Sequence, residues 1–149
     1  MKTLVKNKNT ISKKDNLIIL INKNTNLSSF DLNQNEKKYI KDQQKNNQEI
    51  IVLNHYLRKI MIVNPKNINS KNLFVENIRG LGNKIYSELK EINNVSIQNL
   101  ERDKIDSSAF VEGLSLSHYQ FNNHKSKAIK SKDLTINIIN NKNSVNNNE

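Results

Sequence analysis

An unbroken apolar run, Leu17–Ile21 (LIILI), constrains the fold of this chain more than any other feature. Polar Asn16 and Asn22 bound it on either side. A strand with one face in water alternates apolar and polar residues, whereas a strand buried on both faces is apolar throughout. The run therefore predicts a central strand in a sheet that helices cover on both sides.

Two more apolar runs follow, Glu49–Leu53 (EIIVL) and Arg58–Val63 (RKIMIV), with only NHYL between them. Because this connection is so short, the two runs predict a hairpin and hence an antiparallel pair of strands. His55 lies in the connection without a second metal ligand nearby in the sequence. A structural or solvent-facing role is therefore favoured for it over metal binding.

Two segments carry helical patterns. Asp31–Gln48 is rich in helix formers but has only Tyr39 and Ile40 as interior apolar residues, which predicts a surface helix whose lysines form a solvated face. In the second segment apolar residues recur at steps of three and four, which predicts a core helix. These residues are Phe74, Ile78, Leu81, Ile85, Leu89 and Ile92. Gly80 and Gly82 fall inside this helix without the spacing of a phosphate loop, so they predict close packing instead.

The order of elements decides the fold class. Short strands are also predicted at Thr3–Val5, Val95–Ile97 and Leu134–Ile139, and a third helix begins near Ser107. Because a hairpin mixes with helical crossovers, the chain is predicted to form an α/β fold of three layers, α/β/α, around a mixed sheet. We expect one domain over residues 1–139 and a polar linker over residues 140–149, where the sequence is NNKNSVNNNE.

Composition limits the classes of function. The 149 residues carry a formal net charge of +10, which is typical of proteins that bind nucleic acid. However, Asn, Lys and Ile dominate, as A/T-rich codons would dictate, and the arginines that make specific base contacts are few. Cysteine is absent, so neither a disulfide framework nor a thiolate site can form. No run approaches the length of a membrane span, and the start lacks a secretion signal, so a cytoplasmic protein is expected.

The stretch Ser107–Lys127 (SSAFVEGLSLSHYQFNNHKSK) combines unlike residues at particular spacings. Asp106 is placed to cap a helix, and small and apolar residues recur on one face of it. Gly113 costs about 1 kcal/mol relative to alanine inside a helix, so its use is to let another backbone approach. Tyr119 and Phe121, at alternate positions, are expected to follow this helix and to lead into a basic tail.

This stretch resembles the segment that closes the amino-terminal domain of the leucyl aminopeptidase (cytosol aminopeptidase) family. There a helix containing glutamate-glycine-leucine-x-leucine leads into a tyrosine-x-phenylalanine pair and a lysine-serine-lysine tail. The matching residues here are Glu112, Gly113, Leu114, Leu116, Tyr119, Phe121, Lys125, Ser126 and Lys127. Asn123 and His124 depart from the family pattern. The run Arg79-Gly80-Leu81-Gly82 is similar to the family's first long helix after the third strand.

The resemblance implies a macro-domain-like fold and a non-catalytic role. In this family two divalent metal ions, zinc or manganese, lie in a second, carboxy-terminal domain and catalyse hydrolysis of the amino-terminal peptide bond. That domain's motif, asparagine-threonine-aspartate-x-glutamate-glycine-arginine, is absent here, because Glu112-Gly113 is followed by leucine. We therefore expect no catalytic or metal-binding residues in this chain, a hexameric parent enzyme, and contacts to the catalytic domain through Tyr119, Phe121 and Lys125.

The sequence also lacks the common catalytic motifs. The chain contains no H-E-x-x-H, G-x-S-x-G or Walker sequence, and its histidines, His55, His118 and His124, are scattered. His118 and His124 are expected to flank a helix end. Glu101, Asp103 and Asp106 could hold a divalent ion only weakly, and helix capping explains them better. We expect no contact with a membrane.

Two other functions remain open at this point. A basic module could bind RNA or DNA through four lysines that follow the third helix, although this is not favoured. They are Lys125, Lys127, Lys130 and Lys132. A macro-like domain could bind a nucleotide such as ADP-ribose, but that would require glycine-rich loops at strand ends, and all the glycines lie in predicted helices.

Overall fold

A six-stranded sheet with helices on both faces forms the described part of the chain. The computed structural model describes residues 3–28, 30–123 and 133–139, of which residues 121–123 are described by their backbone alone. The strands are β1 (Thr3–Lys8), β2 (Leu17–Leu20), β3 (Ile50–Asn54), β4 (Lys59–Val63), β5 (Asn94–Asn99) and β6 (Leu134–Ile139). The helices are α1 (Gln34–Lys45), α2 (Lys71–Ile85) and α3 (Ser107–Asn123), and a 3-10 turn (Tyr86–Glu88) follows α2. The predicted linker, residues 140–149, lies outside the described residues.

The strand order is β1-β6-β5-β2-β4-β3, with β2 in the interior of the sheet as its sequence predicted. Neighbouring strands are parallel except for the hairpin of β3 and β4, whose register pairs Ile51 with Ile62. The hairpin closes through the His55 amide, which donates to the Arg58 carbonyl at 2.8 Å. The predicted mixed sheet and antiparallel pair are confirmed.

Alternate residues of the strands pack in two separate hydrophobic cores, because successive side chains of a strand point to opposite faces. On one face Ile18 and Leu20 pack beneath α2 and α3. On the other face Leu17 and Ile19 pack beneath α1, whose Ile40 is buried against them. β2 is therefore buried from both sides, which is the reason that its sequence has no polar position.

At the start of each of these three helices a side chain accepts a hydrogen bond from one of the free backbone amides. Asn33 and Glu36 form a capping box at α1, each side chain accepting from the backbone amide of the other residue. Ser70 caps α2, and the Asp106 carboxylate accepts from the Ser108 amide at 2.9 Å, so the predicted role of Asp106 is confirmed. No helix within the described residues is long and apolar enough to cross a bilayer.

Two predicted helix ends were wrong. The apolar steps up to Ile92 suggested one continuous helix, but α2 stops at Ile85 and the chain tightens into the 3-10 turn. Leu89 then donates its amide to the Tyr86 carbonyl and is buried without being helical, which lets the chain turn toward β5. α3, in turn, extends to Asn123 instead of ending before Tyr119.

Candidate docking surface and strand-end sites

The predicted contact residue Tyr119 lies on the outer surface of α3, with 54% of its surface exposed. Leu116, one turn earlier, is 48% exposed and lies on the same side of the helix. Together these two residues form an apolar spot on the water-facing side of α3, called the α3 patch below. Leu116 is not among the predicted contact residues, although its spacing of three residues from Tyr119 places the two positions on one side of a helix.

The other predicted contact residues cannot be placed on this surface. The backbone at position 121 is helical, so Tyr119 and Phe121 are two residues apart in a helix and their positions do not share a face. The expected pair of alternating aromatics after the helix was therefore wrong. The Phe121 side chain, Lys125 and the three further lysines of the nucleic-acid prediction, Lys127, Lys130 and Lys132, lie outside the described residues.

Two glycines let α2 and α3 touch backbone to backbone. A Cβ built on Gly82 would overlap the Phe110 carbonyl oxygen and lie 3.1 Å from the Leu114 amide nitrogen. A Cβ built on Gly113 would overlap the Arg79 carbonyl oxygen in the same way. The close packing predicted from these glycines is confirmed, whereas a Cβ on Gly80 would meet nothing within 4 Å.

Ionic contacts cross the same helix pair at its surface. The Arg79 guanidinium binds Glu112 on α3 at 3.1 Å and also pairs with Glu76 one turn earlier on α2. Hydrogen bonds from Glu112 and then from Glu76 raise the pKa of Arg79 above its ordinary value. Because these groups are largely exposed, they orient the two helices more than they stabilise them.

His55 pairs with a carboxylate on α1. Its Nε2 lies 2.5 Å from Glu36 Oε2, which ties the hairpin turn to the start of the helix. Partial burial acts to raise the pKa of Glu36, but the hydrogen bond from the Asn33 amide and the hydrogen bond and charge of His55 outweigh it, so the pKa lies below its ordinary value. This arrangement gives His55 a structural contact.

His118 is fully buried on the sheet side of α3. Its Nδ1 lies 2.6 Å from Thr3 Oγ1, and its ring lies 5.7 Å from the Tyr86 ring at 59°. The side chain thus joins β1 to the third helix. α3 ends at Asn123, so a helix end lies between positions 118 and 124 as expected, and His124 itself lies outside the described residues.

A crevice of about 280 Å³ opens at the carboxyl ends of β2, β4 and β5. The connections from β2 and β5 leave toward opposite faces of the sheet here, and α/β proteins bind ligands at such points. Glu101 partly fills the crevice, because its carboxylate accepts from the Thr25 hydroxyl at 3.1 Å and from the Asn22 amide group. The loops at these strand ends contain no glycine, so they do not suit the hypothesis that the domain binds a nucleotide such as ADP-ribose.

Two of the three acidic residues suggested as a weak cation site, Glu101 and Asp106, are used in separate contacts. Glu101 binds Asn22 and Thr25, while Asp106 caps α3. Among the described residues, no three His, Asp or Glu side chains come together as metal ligands would. The described residues therefore do not fit the two-metal centre of the aminopeptidase family.

Comparison with known proteins tests the resemblance. No protein-family model and no curated protein matches the chain. Among solved structures, the chain matches a mutant of leucine aminopeptidase from tomato with a TM-score of 0.56 and 15% sequence identity. The match covers 93% of this chain but 32% of the tomato chain, so this chain spans about a third of that enzyme's length. The chain therefore has the mixed α/β fold of the N-terminal region of leucine aminopeptidase, as its sequence predicted.

Proposed function

We propose that this chain is a non-catalytic amino-terminal domain of a cytoplasmic leucyl aminopeptidase. In that role it docks against its own carboxy-terminal catalytic domain, contributes to contacts in a hexamer and shapes access to the active sites. The observation that carries the proposal is the fold match, because nearly the whole chain corresponds to one third of an aminopeptidase.

The α3 patch supports a docking role. Leu116 and Tyr119 are about half exposed, on a helix whose opposite side is buried against α2 and the sheet. Fully burying a large apolar side chain contributes about 1.5–3 kcal/mol, so a partner that covers both residues gains useful binding energy. The patch also lies on the last turns of α3, from which the chain continues toward β6.

Catalysis belongs to the other domain in this proposal. The parent enzyme would hold two divalent metal ions, zinc or manganese, in its catalytic domain, where they would supply Lewis-acid activation of water and of the peptide carbonyl. In this proposal the present chain would contribute no ligand to them.

Gene sequence and an activity assay test the proposal. The reading frame downstream of Glu149 should encode asparagine-threonine-aspartate-x-glutamate-glycine-arginine, and a stop codon with no adjacent frame carrying this motif would refute the assignment. The present chain, incubated with leucine p-nitroanilide and manganese or zinc, should release product at the background rate. Metal-dependent release above background would show that the chain itself is catalytic.

A further inference from the structure

A second cleft, of about 570 Å³, lies on the α1 face of the sheet. One wall is the connection that follows β2, residues 23–28, and the other is a single face of α1. The helix residues that line it recur at helical steps and are Gln34, Lys37, Lys38, Ile40, Lys41 and Gln44. At one end the Gln44 amide group donates to the Asn22 carbonyl at 3.4 Å, which places that end at the carboxyl end of β2.

The cleft collects positive charge that the described residues leave uncompensated. Its lining includes Lys23, Lys37, Lys38 and Lys41 but no Asp or Glu. No hydrogen bond or ion pair joins these four ammonium groups to any residue in the part of the chain that the structure describes. α1 carries two carboxylates: Glu36 is bound to His55 and to the Asn33 amide, and Asp42, although next to Lys41 in the sequence, does not line the cleft and forms no ion pair among the described residues.

The remaining lining suits a small, multiply charged anion. Hydroxyl and amide groups of Ser28, Gln34, Asn24 and Asn26 add neutral hydrogen-bonding groups, and Leu27 contributes an apolar wall. The Thr25 hydroxyl also lines the cleft but is already bound to Glu101. The volume falls within the range of small-molecule sites. Lysine ammonium groups bind phosphate as point charges and do not require the planar geometry of arginine.

The position in the fold adds to this. The cleft adjoins the crevice at the carboxyl ends of β2, β4 and β5, with which it shares Lys23 and Asn24. Open α/β sheets bind ligands at such points. We propose that this cleft binds a small molecule carrying several phosphate groups, with Lys37 and Lys41 as its central contacts.

Isothermal titration of the full chain with inorganic tripolyphosphate tests this proposal. The test compares two double variants that remove equal charge: K37Q/K41Q changes the cleft, and K45Q/K84Q changes exposed lysines that do not line it. We expect saturable binding by the wild type, a dissociation constant roughly tenfold weaker or more for K37Q/K41Q, and an unchanged constant for K45Q/K84Q. Circular dichroism of each variant confirms that the fold is retained.

Further titrations distinguish the source of the phosphate groups and the class of ligand. A hexose bisphosphate titrated in parallel shows whether an organic phosphate binds the same cleft, in which case it competes with tripolyphosphate. Equal weakening in the two double variants would refute the site, because it would show binding to the net charge alone. Binding of an oligonucleotide without binding of tripolyphosphate or bisphosphate would also refute it, in favour of a nucleic-acid surface.

Discussion

Replacing Gly82 by alanine is expected to push α2 and α3 apart. The added methyl group would overlap the Phe110 carbonyl oxygen and lie 3.0 Å from the Phe110 carbonyl carbon and 3.1 Å from the Leu114 amide nitrogen. All three atoms belong to backbone in the middle of a helix, so no side chain can rotate to make room. The two helices must therefore shift as rigid units.

The size of the effect follows from two opposing contributions. Overpacking of a tight interface costs about 1–3 kcal/mol. Alanine recovers about 1 kcal/mol of helix propensity relative to glycine. Because the helix pair also loses the close backbone contact, we expect a net loss of about 2 kcal/mol, which lowers the melting temperature by about 4–8 °C in a chain of this length.

Gly80 provides a matched control in the same helix. A methyl group there meets nothing within 4 Å, so Gly80→Ala keeps the gain in propensity without the collision. We expect it to stabilise the chain by about 0.5–1 kcal/mol. Urea denaturation followed by circular dichroism measures both variants. If Gly82→Ala raised the midpoint as much as Gly80→Ala does, the close contact between α2 and α3 would be wrong.

Two further predictions concern α1 and the α3 patch. The lowered pKa of Glu36 means that its ionised form is stabilised by folding, so this contribution is present at neutral pH and is lost as the pH falls below the ordinary glutamate value of 4.5. Glu36→Gln should therefore lower the free energy of unfolding at neutral pH and make it decrease less as the pH falls below 4.5. Urea denaturation at a series of pH values measures this. If the free energy of unfolding of the variant decreased in acid as much as that of the wild type, the pairing with His55 would be contradicted. The double variant L116S/Y119S should leave the melting temperature of this chain nearly unchanged, since both side chains are about half exposed, but should weaken its association with a separately produced catalytic domain in analytical ultracentrifugation. Undiminished association would show that the α3 patch is not the docking surface.

The strands were largely predictable because burial on both faces leaves a clear sequence pattern. Leu17–Ile21 and Ile60–Val63 have apolar side chains at every position, and such runs have few alternatives to an interior strand. The pairing of β1 with β6 was not predictable in the same way, since it joins residues at opposite ends of the domain and no local pattern records it.

The sites were less predictable for a different reason. Lys37, Lys38 and Lys41 share one face of α1, but in a lysine-rich chain this pattern predicts only a solvated surface. The second wall of the cleft comes from residues 23–28, and their approach to α1 is set by tertiary packing. The burial of His118 did leave a signal, because it continues the four-residue spacing of Phe110 and Leu114 on the buried face of α3.

The parallel pairing of β1 with β6 affects how the domain is completed during synthesis. β1 is translated before its partner β6, and about 130 residues separate Thr3 from Leu134. At the usual rates of protein synthesis, β1 remains unpaired for roughly ten seconds or more before β6 has been synthesised. During this time β1 is protected by its polar residues Lys6, Asn7 and Lys8, because charged and polar side chains hinder pairing with the strands of other nascent chains.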